Sequence, residues 1–94
     1  MRISHITITA RVEFEITNTF AEWEQGFYPM MRDARAAGIY EIYHGHEADN
    51  PKKCMVVALV ESPKIMDDFF KSQATRVNDS GHILESAKIT IYNS

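Results

Sequence analysis

The chain has 94 residues, 45% hydrophobic and 24% charged, which is the composition of one folded domain over residues 1–94. Its net charge is −3 and its largest basic cluster is Lys52-Lys53, so we expect no nucleic-acid partner and no attraction to an anionic membrane. A single cysteine excludes an internal disulfide, and no apolar run is long enough to span a bilayer, which together favour a cytoplasmic protein.

A strand and a capped helix are predicted near the N-terminus. Residues 5–14 alternate polar and apolar side chains, which is typical of a strand with one buried face. Thr19 and Glu22 have the spacing of a capping box, which predicts a helix start. Apolar side chains then recur every three or four residues and form one stripe: Phe20, Trp23, Phe27, Met30, Met31, Ala34 and Ala37.

Two residues bear on the shape of this helix. Gly38 suits the left-handed conformation that commonly ends a helix. Pro29 lacks an amide donor and crowds the preceding turn, so we expect a kink or a break within residues 27–30, or a second helical segment that starts at Pro29.

The middle of the chain predicts a hairpin and a second helix. Strands are expected over residues 39–47 and 54–61, joined by a loop somewhat longer than the tightest hairpin turns. Ser62 as N-cap and Pro63 at the first helical position then begin a helix. The apolar face of this helix comprises Ile65, Met66, Phe69 and Phe70.

The end of the chain completes a familiar order of elements. Residues 73–80 predict a further helical turn, and residues 88–92 predict a last strand with Ile89 and Ile91 on its buried face. The order β-α-β-β-α-β indicates a ferredoxin-like α+β fold, in which both helices cover one face of a four-stranded antiparallel sheet.

The third strand has apolar side chains on both faces. Its sequence from Cys54 to Val60 is a continuous apolar run, which is typical of a strand buried on both sides. Two helices cover only one face of such a sheet, and an exposed apolar face usually marks an interface. We therefore expect a homodimer that packs through the sheet face.

Several short motifs resemble a known group of proteins. The βαββαβ order with a two-faced third strand resembles the dimeric α/β-barrel superfamily, which includes the antibiotic-biosynthesis-monooxygenase-like proteins. The chain resembles, more closely, a small bacterial family of unknown function. The stretches that carry this resemblance are Thr19-Phe20 with Glu22-Trp23, Ala37-Gly38-Ile39, His44-Gly45 and the turn at residues 49–53. The resemblance implies a homodimeric α/β barrel, and it brings no established catalytic residues.

Enzymes of this superfamily hold their substrates between the helices and the sheet, so a pocket is expected there, mostly apolar with a few polar groups. His44 and Tyr43 are the candidate catalytic residues, because an imidazole changes its charge near neutral pH. The alternative for the aromatic residues is that they only fill the core. The predicted pocket comprises Trp23, Phe27, Tyr28, Tyr40, His44 and Phe69, with Phe70 beside them.

The pair His44 and His46 offers a second interpretation. On a regular strand the two side chains share a face with Tyr40 and Ile42, as metal ligands often do. No stronger metal signature is present, and a metal ion would need at least a third ligand. Two registers of this strand stay open, with either Ile39 and Tyr43 or Tyr40 and Ile42 facing the core.

Three functions follow from these observations. The first is a protein that binds or transforms a small apolar molecule without a cofactor, in a monooxygenase-like or isomerase-like way. The second is a non-catalytic dimeric scaffold or ligand-sensing module with a packed interior. The third is a metal-binding dimer that uses His44 and His46. The loop Ser80-Gly81-His82 and the lone Cys54 are both interpreted as structural, because neither lies in a nucleophile motif.

Overall fold

A computed structural model describes residues 6–94 of the chain. The elements follow the predicted order, and the further helical turn expected over residues 73–80 is confirmed as a short third helix, while a 3₁₀ turn before the last strand was not predicted. His5, at the predicted start of the first strand, lies outside the described residues. The strands are β1 (Ile8–Glu15), β2 (Ile39–Glu47), β3 (Asn50–Val60) and β4 (Lys88–Asn93), and the helices are α1 (Phe20–Ala37), α2 (Pro63–Ser72) and α3 (Ala74–Asp79), with the 3₁₀ turn at Leu84–Ser86.

The predicted capping box begins α1. The hydroxyl of Thr19 accepts a hydrogen bond from the backbone amide of Glu22 at 3.1 Å, and the Glu22 carboxylate accepts one from the amide of Thr19 at 3.0 Å. At the other end Gly38 adopts φ 96°, the left-handed conformation that allows its amide to reach the last carbonyl groups of the helix. Both helix boundaries are therefore set locally, by side-chain capping at the start and by the backbone conformation of a glycine at the end.

The expectation of a break at Pro29 is wrong. α1 continues through Pro29 as one helix of 18 residues. Its apolar stripe is buried on both sides of the proline, at Trp23 and Phe27 before it and at Met30 and Ala34 after it. Packing of both halves on the same sheet face offsets the hydrogen bond that proline removes.

The β2–β3 hairpin is tighter than expected. Glu47 pairs with Asn50, so only Ala48 and Asp49 form the turn, and β3 begins four residues before the predicted start at Cys54. The pairing also shifts between Glu41 and Tyr43, which places a β-bulge in the middle of β2. The bulge has no counterpart in the prediction, and it changes which residues of β2 share a face.

The sheet confirms the ferredoxin-like α+β fold. The four antiparallel strands lie in the order β2-β3-β1-β4, and the helices pack on one face. The buried side chains of β3 on that face are Cys54, Val56, Ala58 and Val60, as the alternation predicts. None of the helices within residues 6–94 is long and apolar enough to cross a membrane.

The predicted burial of Ile89 and Ile91 is wrong. Both pair with helix-facing residues of β1, yet 51% of Ile89 and 36% of Ile91 remain exposed. β4 is the outer strand next to β1, and the core cluster under the helices includes no residue of β4. The alternation of polar and apolar residues therefore predicts the correct face of the sheet for Ile89 and Ile91, but the helices of this chain do not extend over β4.

The second face of the sheet carries the apolar residues that the sequence places there. Met55, Val57 and Leu59 lie in the interior strand β3 and are only partly buried. Tyr43 lies opposite Val57 on β2, and 52% of it is exposed. Within residues 6–94 no further layer covers this surface, which we call the open face.

Candidate functional site

The bulge in β2 decides which way His44 points. His44 lies opposite Val56, a buried residue beneath the helices, whereas Tyr43 lies opposite Val57 on the open face. Tyr40 lies opposite Leu59, so the prediction that Tyr40 and His44 share a face is wrong, because the extra residue inverts the alternation between them. His44 consequently faces α1 and its aromatic side chains.

His44 lies between two carboxylates. Its Nε2 is 2.7 Å from Oε2 of Glu24 on α1, and its Nδ1 is 3.3 Å from Oε2 of Glu41 on β2. The hydroxyl of Tyr28 donates to the same Glu24 oxygen at 2.9 Å and lies 3.3 Å from His44 Nε2. Each imidazole nitrogen thus lies beside a carboxylate oxygen. We call Glu24, Tyr28, Glu41 and His44 the His44 cluster.

Aromatic rings surround the other sides of the His44 imidazole. The centroid of Phe27 lies 4.8 Å from that of His44, and those of Tyr28, Trp23 and Phe20 lie within 6.1 Å. Only 16% of the His44 side chain is exposed, while 52% of Tyr28 is exposed. The His44 cluster therefore has an apolar inner side and an opening to solvent at Tyr28.

The hydrogen bonds of the His44 cluster change the acidity of its members. The bond from His44, reinforced by one from Tyr28, lowers the pKa of Glu24 below its ordinary value, against a smaller opposing effect of burial. The hydrogen bond that Tyr28 donates to Glu24 raises the pKa of Tyr28, because an ionised tyrosine could not donate this bond and would lie beside a carboxylate. Glu24 is thus held as a carboxylate and Tyr28 as a hydroxyl at neutral pH.

The arrangement differs from a metal site. Glu24 and Glu41 contact opposite nitrogens of His44, so the three side chains do not converge on one point. His46 is exposed, with its Nδ1 2.7 Å from the Glu47 carbonyl and its ring edge-on to Phe20. Among residues 6–94 no group of three or more histidine, cysteine, aspartate or glutamate side chains could hold a metal ion.

The predicted pocket residues fall into separate places. Trp23 and Phe27 line a cavity of about 40 Å³ between the helices and the sheet. Tyr28 and His44 lie beside that layer in the His44 cluster, while the lining does not include Phe69, which packs against Phe70. The cavity is far smaller than the ~300–1,000 Å³ that encloses a typical ligand. A ligand of ordinary size would need side chains to move.

Tyr40 and Tyr43 lie apart from the His44 cluster. The Tyr40 hydroxyl donates to Glu61 at 3.2 Å and its ring lies under the guanidinium of Arg35, in a buried position. Tyr43 is exposed on the open face. The two candidate catalytic residues, His44 and Tyr43, therefore lie on opposite faces of the sheet.

His82 is a site residue that the sequence interpretation missed. It lines the 40 Å³ cavity, and its ring stacks on Phe14 with centroids 4.1 Å apart and planes 5° apart. Its Nε2 is buried and has no hydrogen-bond partner among residues 6–94. The sequence signal that could have identified His82 is the glycine directly before it, since glycine often marks a turn. In the structure Gly81 has a φ of 103°.

Comparisons with known proteins agree with this architecture. The sequence profile of a family described as Domain of unknown function (DUF3764) matches residues 6–94. The chain belongs to this family. No curated protein matches the DUF3764 chain.

Solved structures similar to this DUF3764 protein are antibiotic-biosynthesis-monooxygenase-like. A protein described as an antibiotic biosynthesis monooxygenase from Bordetella bronchiseptica has a TM-score of 0.72 at 16% identity, with 95% of this chain and 97% of that chain covered. A similarly described protein from Nitrosomonas europaea has a TM-score of 0.66 at 13% identity, covering 93% and 97%. SnoaB, a cofactor-independent oxygenase from Streptomyces nogalater, has a TM-score of 0.64 at 14% identity, covering 95% and 93%. At such identities the similarity establishes the monooxygenase-like fold alone.

Proposed function

We propose that this DUF3764 protein binds a small, mostly apolar molecule between its helices and its sheet. We further propose that it transforms this molecule without a cofactor, with His44 transferring a proton, either in an isomerase-like reaction or in a monooxygenase-like reaction in which dissolved O₂ oxidises the substrate and water is the second product. The observation that carries the proposal is the His44 imidazole, which is mostly shielded from water, lies between Glu24 and Glu41, and packs against Phe27. A general acid or base in such a place has a fixed orientation and an apolar surface beside it.

The roles follow from the hydrogen bonds. Glu24 fixes the orientation of the His44 ring, in the way that a carboxylate orients a catalytic histidine. Tyr28 lies at the solvent side of the His44 cluster and donates to Glu24. His44 is then the proton donor or acceptor, and Tyr28 contacts the substrate. SnoaB, which shares the fold, is a cofactor-independent oxygenase, and this supports chemistry of the same type.

The test uses a panel of small aromatic hydroxyl compounds in air, with oxygen consumption and absorbance as readouts. We expect turnover of at least one compound by the wild-type protein without added cofactor. His44→Gln should lower kcat by about 100-fold or more, the usual contribution of a general acid or base, with little change in KM. His46→Gln is the matched control, because His46 is exposed and outside the His44 cluster. Equal kcat for wild type and His44→Gln would refute the role of His44.

One observation favours the non-catalytic alternative. The cavity under the helices has a volume of only about 40 Å³, which suits a dimeric scaffold or sensing module with a packed interior. In that case no compound of the panel is turned over, and neither His44→Gln nor Tyr43→Phe changes the cellular phenotype of the wild type.

We also propose that the protein is a homodimer joined through the open face. Met55, Val57 and Leu59 form an apolar strip in the interior of the sheet, and Tyr43 extends it on β2. A second copy offers the same strip, so a symmetric interface would bury apolar residues of both chains. We place this dimer in the cytoplasm, as the single cysteine suggests.

Light scattering after gel filtration tests the dimer. We expect a mass near twice the 10.8 kDa of one chain. Val57→Asp should give a monomer, because an aspartate would lose its water at the centre of the interface. Leu84→Asp places the same charge at an exposed apolar residue in the 3₁₀ turn and should stay dimeric. A monomeric wild type, or a dimeric Val57→Asp protein with native circular dichroism, would contradict the proposal.

A further inference from the structure

Two rows of side chains cross the centre of the open face. Residues directly opposite each other in an antiparallel sheet point to the same face, so the register of the strands defines each row. The first, which we call the Arg11 row, comprises Tyr43, Val57, Arg11 and Thr90. The second, which we call the Glu13 row, comprises Gly45, Met55, Glu13 and Lys88. The two rows are neighbours on this face, because they are two residues apart along every strand.

The two rows carry opposite charges on the interior strand β1. Nη2 of Arg11 lies 2.9 Å from Oε1 of Glu13, and 38% and 44% of the two side chains remain exposed. A guanidinium has five N–H donors, so this one contact leaves Arg11 with donors for a second carboxylate. Both charged groups lie beside the apolar strip of β3, since Arg11 is opposite Val57 and Glu13 is opposite Met55. A molecule that covers the strip must therefore also match these two charges.

The Glu13 row lies in a depression of the open face. All four of its members line this depression, which has a volume of about 480 Å³. Gly45 contributes no side chain, and the hydroxyl of Tyr43 lies 2.5 Å from the point that a Cβ at position 45 would occupy. The Tyr43 side chain therefore lies along β2 and leaves the surface low enough for a second sheet to approach.

The charges restrict the direction of the twofold axis of a dimer through the open face. An axis parallel to the strands, between β3 and β1, would place β3 of one copy over β1 of the other. Val57 would then face the partner's Arg11, which buries a charge against an apolar side chain. An axis perpendicular to the strands places β3 over the partner's β3 and β1 over the partner's β1. Apolar residues then face apolar residues, so the perpendicular axis is favoured.

The charges also fix the position of a perpendicular axis. If the axis crossed the Arg11 row, two arginines would face each other, and if it crossed the Glu13 row, two glutamates would. Like charges opposed across an interface are strongly unfavourable, whereas opposite charges select one alignment. With the axis midway between the rows, Arg11 faces the partner's Glu13 and Val57 faces the partner's Met55. This one position satisfies both the charges and the apolar strip.

We propose that two copies of this chain pack through their open faces about a twofold axis that crosses the strands midway between the two rows, with Arg11 of each copy paired to Glu13 of its partner. The inference rests on the proposed function, of which the homodimer is a part. It adds the two residues that select the alignment and the partner. The two ion pairs make the surface complementary to itself, so a second copy of this chain is the molecule that covers it.

Two charge reversals test the pairing. Arg11→Glu puts glutamate in both rows of β1, and Glu13→Arg puts arginine in both. Each variant alone should have a dimer dissociation constant about 100-fold or more above that of the wild type, because like charges face each other. A 1:1 mixture restores opposite charges across the interface and should form a heterodimer, seen by light scattering and identified from its mass by native mass spectrometry. Arg32→Glu makes the same charge change at an exposed residue of α1 and should stay dimeric.

The outcomes separate this proposal from the homodimer itself. A dimer of either charge-reversed variant as stable as the wild type, or a mixture that remains monomeric, overturns the Arg11–Glu13 pairing and leaves a dimer through the open face intact. A monomeric wild type refutes both proposals. If a variant does not fold, isotope-filtered NMR of wild-type dimers with one labelled chain decides between the alignments. Contacts between Met55 and the partner's Val57 are expected, and their absence overturns the proposal.

Discussion

The partly buried imidazole of His82 makes stability depend on pH. Burial lowers the pKa of His82 from its ordinary value of 6.5 to about 4, since the charged ring would lose its water in the apolar cavity. The unfolded chain takes up a proton below pH 6.5, and the folded protein does so only near pH 4. The free energy of unfolding therefore falls as the pH falls through this window.

The size of the effect follows from the two pKa values. Each pH unit inside the window costs about 1.36 kcal/mol, so going from pH 7.5 to pH 5 should remove about 2 kcal/mol through His82 alone. His82→Phe has no proton to bind and should not show this part of the loss. Glu22 and Glu24, whose pKa values are lowered by hydrogen bonds, also weaken stability at acidic pH, but equally in both proteins.

Urea denaturation at pH 7.5 and pH 5 measures the difference. The fluorescence of Trp23, the only tryptophan and a buried one, reports unfolding in both proteins at one protein concentration. The wild-type midpoint should fall by about 1–2 M more than that of His82→Phe, with m near 1–2 kcal/mol per molar urea. Equal losses in the two proteins would refute the assignment of a neutral His82 in the folded protein.

Two further predictions concern the core. Burial raises the pKa of the Cys54 thiol to about 11. At pH 8 the native protein should therefore react with a thiol reagent far more slowly than the urea-unfolded chain does. Rapid modification of the native protein would contradict this prediction. Trp23→Ala should lower the free energy of unfolding by about 3–5 kcal/mol, because only 2% of Trp23 is exposed and its ring packs against Phe14 and Phe27. Urea denaturation followed by circular dichroism measures the loss. A loss below ~1 kcal/mol would show that this packing contributes little to stability.

Most of the fold was predictable because its signals are local. The Thr19–Glu22 capping box, Gly38 at the end of α1 and Ser62-Pro63 at the start of α2 each act within a few residues of chain. The two-faced pattern of β3 placed that strand in the interior of the sheet, and the sheet order confirms it.

The candidate site was less predictable because it depends on contacts between distant residues. The bulge after Glu41 arises from pairing between β2 and β3, and it alone separates His44 from the face of Tyr40. Two partners of His44, Glu24 and Tyr28, come from α1, and no sequence spacing connects Glu24 with a histidine 20 residues later. His82 gains its position from stacking on Phe14, at the other end of the chain.

The most direct test of ligand binding between helices and sheet uses methionine methyl groups. Protein carrying ¹³C-methyl methionine is titrated with phenol and observed by NMR. Met30, Met31 and Met66 line the cavity, whereas Met55 lies on the open face and serves as an internal control. We predict saturable shifts of the three cavity methyl signals with the Met55 signal unchanged. Shifts confined to Met55, or no shifts at all, would contradict a ligand site between the helices and the sheet.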